Sequence, residues 1–301
     1  MLTISEWEKL NPTPLQSGVV EIFASTNPVL ELLPFINIKG NAYKYNTEQT
    51  LPGIAFRAIG GSYTESTGVI NPVTEALTII GGDSDYDVAH IAMGTGDNDS
   101  RAVHDSLKAK ALALTWLKTF FDGDNSAGGH ENEFDGLNVR LTGGQVLSTG
   151  TNGAVLTLDM LDQLVDAVTG APSVLLMNKA ARRKIRALAR NSVSLTVSRD
   201  QFGREVDAYQ GVPIRVVEED ASGADILGFD ETQGSSNVTS SIYAVRFGAD
   251  ALHGIQTAPV SVRDLGELDS KPALRTRTEW YSGLVIKHPK AAARLKGVLA
   301  G

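Results

Sequence analysis

The chain has 301 residues, of which 42% are hydrophobic, 21% are charged and none is cysteine, and its formal net charge is −8. That length supports a sizeable core in one large domain or two, and the missing cysteines exclude disulfides, Cys-based zinc sites and a thiol nucleophile. Residues 1–100 hold four Lys or Arg against twelve Asp or Glu, which is the whole net charge, so a generic DNA-binding surface is excluded there. No apolar run approaches the ~18 residues of a membrane span. The start, Met1 to Glu6, lacks the basic and apolar regions of a secretory signal, so the expectation is a protein kept in the cytosol.

In chain order, residues 1–38 read as an arm. Ser5 with Glu8 fits a capping box, and a second short helix over Gly18–Ser25 presents Val19, Ile22 and Phe23 before Asn27-Pro28 stops it. Val29, Leu30, Leu32, Leu33, Phe35 and Ile36 follow with little polar relief. They must pack back on the body or on a neighbouring subunit. Residues 39–90 switch to strand character: Ala42–Glu48, Ile54–Ile59 and Val73–Ile80, the last closed by Gly81-Gly82. So few large apolar residues suit a long two-stranded extension, which needs something to lie on.

Asp97–Asp122 is the long helix about which the rest is organised. Val103, Leu107, Ala111, Leu114, Leu117 and Phe121 recur at steps of three or four on one face. Asp97, Asp99 and Ser100 offer capping oxygens, and Gly123 is expected as a left-handed cap. After a polar loop to Gly136, Leu137–Leu141 reads as a strand. Thr157 caps an amphipathic helix ended by Gly170, Val174–Met177 is a buried strand, and Asn178 caps a third helix, Lys179–Arg190. Strands are expected over Ser194–Ser198, Val212–Val217 and Ile242–Phe247, with a polar Arg199–Gly203 turn after the first, while Gly254–Val260 leads out of this α/β lobe. Leu274–Ile286 is the longest strand, and Ala291–Leu295 reads as a short C-terminal helix.

Catalytic chemistry is mostly absent. There is no phosphate-binding Gly-x-x-x-x-Gly-Lys loop, Gly94-Thr95-Gly96 meets Asp99 where a third glycine is needed, and no nucleophile elbow occurs. The five histidines are scattered without a ligand pair. Asp83, Asp85 and Asp87, and likewise Asp122, Asp124, Ser126 and Glu133, partly match a calcium loop, yet Val88 and Ala127 replace the turn glycine, so both read as solvated loops. Helix Lys179–Arg190 holds six basic residues and no acid; it is either a phosphate-binding face or a surface whose charges meet acids of the same or a neighbouring chain. No catalytic, cofactor-binding or metal-binding residue is assigned.

The order of apolar arm, β extension, long helix, α/β lobe and returning strand resembles the major capsid protein of tailed phages, the Hong Kong 97 fold. Tyr209-Gln210-Gly211-Val212-Pro213-Ile214, Ser241-Ile242-Tyr243-Ala244-Val245-Arg246-Phe247-Gly248, Glu279-Trp280-Tyr281-Ser282-Gly283-Leu284 and Leu176-Met177-Asn178 are similar to segments of such proteins. The resemblance implies an α+β chain divided into an N-arm (1–38), a β-hairpin E-loop (39–90), a P-domain with the spine helix (91–150 and 255–301) and an A-domain (151–254). It implies a structural protein of the virion, assembled in the host cytoplasm through pentamers and hexamers into an icosahedral shell. That shell encloses DNA without a specific DNA site. Scaffolding and portal proteins would act in trans, since the spine starts too early for a fused scaffolding region; no membrane is involved. Candidate subunit contacts are Phe23, Leu32, Leu33 and Phe35 of the arm, Lys44 and Arg57 of the E-loop, and Arg182, Arg183 and Arg186 of the basic helix. No cross-linking partner is assigned to Lys44. Two alternatives stand beside this: an encapsulin-type nanocompartment shell, and a cytosolic enzyme or nucleic-acid-binding protein with a novel site.

Overall fold

Asn27 starts a helix where the sequence suggested a stop. In the computed structural model, which describes residues 27–50, 52–89, 100–190, 195–199 and 205–300, its Oδ1 accepts from the amides of Val29 (2.9 Å) and Leu30 (3.2 Å). These caps and Pro28 in the first turn set helix α1, Pro28–Leu32. Strand β1, Phe35–Asn37, follows. The capping box at Ser5, the helix at Gly18–Ser25 and the capping oxygens of Asp97 and Asp99 lie outside the described residues.

The β extension is a hairpin of β2, Ala42–Thr50, and β3, Val69–Ala76, paired antiparallel from Ala42↔Ala76 to Thr50↔Val69. Ile54–Ile59 forms no strand, because no partner strand runs beside it. Beyond Leu77 the chain re-enters a sheet as β4, Thr78–Asp87, which runs straight through Gly81-Gly82. The glycines do not end the strand. A Cβ on Gly81 would stand 2.5 Å from the Thr278 carbonyl oxygen, so the residue permits close backbone approach.

Helix α2, Ser100–Asp122, is the spine. Its buried face runs through Asp105, Ala109, Leu112, Ala113, Trp116, Leu117 and Phe120, whereas Val103 and Leu107 are 50% and 58% exposed. The expected stripe is therefore rotated. The large aromatics decide the face: Trp116 lies 5.7 Å from Trp280 and 5.6 Å from Phe120 between ring centroids, and its indole N–H donates to Ser282 Oγ at 3.1 Å. Gly123 does end the helix, but with an ordinary backbone; a Cβ there would meet the carbonyl oxygens of Phe134 and Thr119 at 2.2 and 2.7 Å. Leu137–Arg140 is a one-turn helix, α3, and not a strand.

The lobe is a nine-stranded sheet with two helices. Its elements are β5 (Val146–Ser148), β6 (Ala154–Val155), α4 (Leu158–Asp166), β7 (Val174–Met177), α5 (Lys179–Ala189), β8 (Leu195–Arg199), β9 (Glu205–Tyr209), β10 (Val212–Val216), β11 (Glu231–Gln233), β12 (Ser236–Val245) and β16 (Ala292–Leu299). The strand order is β5-β16-β12-β7-β10-β9-β8, with β6 on β16 and β11 on β12. Thr157 Oγ1 caps α4 by accepting from the Met160 amide, and Asn178 Oδ1 caps α5 by accepting from the Ala181 amide. Gln210 and Gly211, both at positive φ, form the tight turn that pairs β9 with β10. Part of the expected Arg199–Gly203 turn lies outside the described residues.

The second sheet, of five strands, carries the spine. It contains β1, β13 (Leu252–Gln256), β15 (Lys271–Ile286) and β14 (Ser261–Leu268) in the order β1-β13-β15-β14, with β4 also on β15. In β15, Thr276, Thr278, Trp280 and Ser282 are buried in strict alternation. Two assignments change here. Gly254–Val260 begins inside this sheet as β13, and Ala291–Leu295 is not helical but from Ala292 lies in β16, between β12 and β5 of the lobe. Alternate residues of β7 and β12 serve two cores. Leu175, Met177, Ile242 and Ala244 face α4 and α5, while Val174, Leu176, Tyr243 and Val245 join the spine.

Candidate subunit-contact surfaces

The apolar run after Asn27 is covered by its own chain. Val29, Leu30 and Leu33 are fully buried, and Phe35 lies 5.2 Å from the Trp280 ring and 6.1 Å from that of Trp116. Leu32 is partly buried against the same core. Glu31, buried beside them, accepts from Arg215 Nη2 of β10 at 2.9 Å. The expectation that Leu32, Leu33 and Phe35 bury on a neighbour is thus corrected: the groove between spine and five-stranded sheet receives them. Phe23 lies outside the described residues.

The hairpin behaves oppositely. Its root is held: Arg140 of α3 donates to both oxygens of Glu75 at 2.6 and 2.8 Å, and the Tyr45 hydroxyl donates to the Ile286 carbonyl at 3.2 Å. Burial, then the Glu75 charge, pushes the Tyr45 phenol up to about 12. Tyr43 stacks on Tyr45 and meets the buried His253 ring edge-on at 5.9 Å. Both His253 nitrogens lack a hydrogen-bond partner, and burial lowers that imidazole's pKa.

Its tip is uncovered. Ile54, Phe56 and Ile59 are 93%, 107% and 106% exposed. Arg57 ties the tip to itself, donating to the Gly61 carbonyl at 3.2 Å and lying 5.2 Å from the Tyr63 ring centroid. Lys44 is exposed on β2 opposite Thr74. Sequence reasoning named the cations of this hairpin and missed its apolar tip; three large apolar residues within six positions, with no matching strand, were the available signal.

The acidic and basic runs resolve into ion pairs. Asp83 is bound by Arg277 at 2.7 and 2.9 Å, and Asp85 by Arg275 at 2.6 and 2.8 Å and by Lys271. These donors hold both carboxyls below the usual range. Asp124 accepts from Ser126, and Glu133 engages His130 at 2.8 Å. No group of three possible metal-ligating side chains occurs among the described residues. On α5, Arg186 is bidentate to Asp207 (2.7 and 2.9 Å) and Lys179 meets Glu218 at 3.0 Å, whereas Arg182 and Arg183 have no ion pair among the described residues.

This architecture matches known shells. The sequence profile of the major capsid protein GP7 family matches residues 12–158, a little under half the chain. No curated protein matches. Among solved structures, the holo-SrpI encapsulin complex from Synechococcus elongatus PCC 7942 superposes with a TM-score of 0.68 and 18% identity, covering 92% of this chain and 89% of that one. The capsid of a native GTA particle gives 0.65 and 15%, covering 91% and 90%. The Mycobacterium phage Bobi structure gives 0.63 and 12%, covering 89% of each chain. The chain has the Hong Kong 97-type fold shared by phage capsid and encapsulin shell proteins, and its first half carries the major capsid protein GP7 signature.

Proposed function

We propose that this chain is the major capsid protein of a tailed phage, assembling through pentamers and hexamers into an icosahedral head around double-stranded DNA. The observation that carries this reading is the hairpin tip. Three large apolar side chains stand almost fully in solvent on a well-anchored stalk, and a lone soluble chain gains nothing from that. In a shell a neighbour covers them. The family profile supports the phage reading. The hairpin is the E-loop, with Lys44 and Arg57 beside the contact; α2 and the five-stranded sheet form the P-domain, and the nine-stranded sheet forms the A-domain, with residues 146–155 and 292–299 assigned to the latter by their pairing. Scaffolding and portal proteins act in trans, assembly takes place in the host cytoplasm, and the head wall needs no specific DNA site. No step of catalysis is assigned.

An encapsulin-type compartment is the second reading, favoured by the likeness to the SrpI shell. Expression of the chain alone, followed by sedimentation and negative-stain imaging, tests the shared claim: closed particles are expected, and ~32 kDa species at every salt concentration would overturn it. The contents of particles from the native source separate the readings, with DNA expected and a packaged enzyme pointing to the encapsulin.

A further inference from the structure

The two lobe helices carry opposite charge, and ion pairs among the described residues account for only part of it. α5 with its C-cap Arg190 holds six cations and no acid, while α4 holds Asp159, Asp162 and Asp166 and no base. Lys179, Arg183, Arg186 and Arg190 recur at steps of three or four, so like charges stack on one helix face and weaken it. Lys179 and Arg182 occupy the first turn, where the helix dipole repels cations, and Asp166 ends α4, where it repels anions. The dipole favours Asp159 in the first turn of α4 and Arg186 in the last turn of α5, so the helix opposes the charge only at the start of α5 and the end of α4.

Intrachain pairing relieves only part of this. Glu218 and Asp207 neutralise Lys179 and Arg186. Arg182, Arg183, Lys184 and Arg190 have no ion pair among the described residues, and the α4 acids bind only neutral groups: Asp159 accepts from Gln163, and Asp162 from Tyr209 and Gln210. Arg183, Arg190, Asp159 and Asp166 are exposed. Beside Arg183 and Lys184 a cleft of about 300 Å³, floored by Leu156, Ala187 and Val298, gives the basic face relief into which a second surface can seat.

We propose that the basic face of α5 docks a second copy of this chain through the acidic face of that copy's α4. The proposal rests on the shell reading and names the contact within it. Spare cations on one helix match spare anions on the other, and both helices cover the same side of the lobe sheet. A nucleic acid fits less well, because the α4 carboxylates sit on that same side and repel phosphate.

Charge reversal tests it in the full-length chain: R183E/R190E, D159K/D166K, and all four changes together. Each double variant is expected to fold, by circular dichroism, and to lower the assembled fraction by roughly tenfold or more, and the quadruple variant to recover most of it. If a reversed chain fails to fold, R183Q/R190Q and D159N/D166N replace the pair, with roughly a threefold loss expected from each. Wild-type chain that never assembles defeats the shell reading itself. Wild type and both double variants assembling alike defeats the helix pairing alone, as does a quadruple variant that stays unassembled. Tight DNA binding by wild-type shells at ~0.15 M salt, lost in R183E/R190E shells that still assemble, would make α5 a phosphate face and overturn the proposal.

Discussion

Residues 28–36 and residues 54–63 both place large apolar side chains in broken, turn-rich segments, and they end in opposite surroundings. The first segment is pinned at both sides by polar contacts, Asn27 to the Ala113 carbonyl (3.1 Å) and Glu31 to Arg215, and its apolar residues fill a groove of their own chain. The second stands on a hairpin beyond the reach of either core. Apolar content alone does not say whether the cover is internal. The polar anchors beside and within the run do, because a buried amide or carboxylate is tolerated only where its partner is fixed.

This contrast can be broken by substitution, ordered here by effect on the isolated chain. Phe35→Ala should destabilise the unassembled protein most, by about 3–5 kcal/mol in chemical denaturation, because it empties a site between two tryptophans. A loss below about 1 kcal/mol would mean that the run is covered from outside after all. Arg140→Ala should cost about 2 kcal/mol by leaving Glu75 half-buried and unpaired. Amide exchange should speed up in β2 and β3 and stay unchanged in β7.

His253 sharpens the root-versus-tip distinction through pH. Its folded pKa is depressed by burial, so the unfolded chain binds a proton that the folded chain refuses. Stability from this group is complete above the unfolded value of ~6.5 and is lost as pH falls below it towards the depressed folded value. Denaturation midpoints should fall between pH 7 and 5 in the wild type and fall less in His253→Phe. The triple change Ile54→Ser, Phe56→Ser and Ile59→Ser should move the isolated chain's stability least, within about 0.5 kcal/mol, and yet remove assembled particles from sedimentation profiles.

Much of this was legible in sequence, and the misses have physical reasons. Thr157 and Asn178 cap helices as read, because a side-chain oxygen before an amphipathic run has one cheap use. The 3.6-residue period located the spine but averaged over alanines, so it could not see that Trp116 and Phe120 outweigh Val103 and Leu107. Ala292–Leu295 has helical propensity and becomes a strand because β12 and β5 flank it, a tertiary override. Strands β9 and β14 were missed because charged residues interrupt their apolar alternation, although each pairs with a strand next to it in the sequence. The candidate contact surfaces were half legible: Arg183, Arg186 and Arg190 of the basic helix are exposed, whereas the hairpin tip became recognisable only once no strand proved to lie beside it.

The single residue between β3 and β4 has a mechanical consequence. β4 is locked to β15 through ten register pairs and a run of Arg–Asp pairs, so Leu77 is where a rigid rail meets a cantilever. Eight strand residues at ~3.4 Å put the far end of the paired strands roughly 27 Å from that point, and a pivot of about 10° there moves it by roughly 5 Å. Such a pivot would disturb the small root cluster of Tyr43, Tyr45, Val73 and Leu77 on Ile255 and Val285 and leave the two large cores as they are, which in the proposed shell lets one sequence meet neighbours set at different angles.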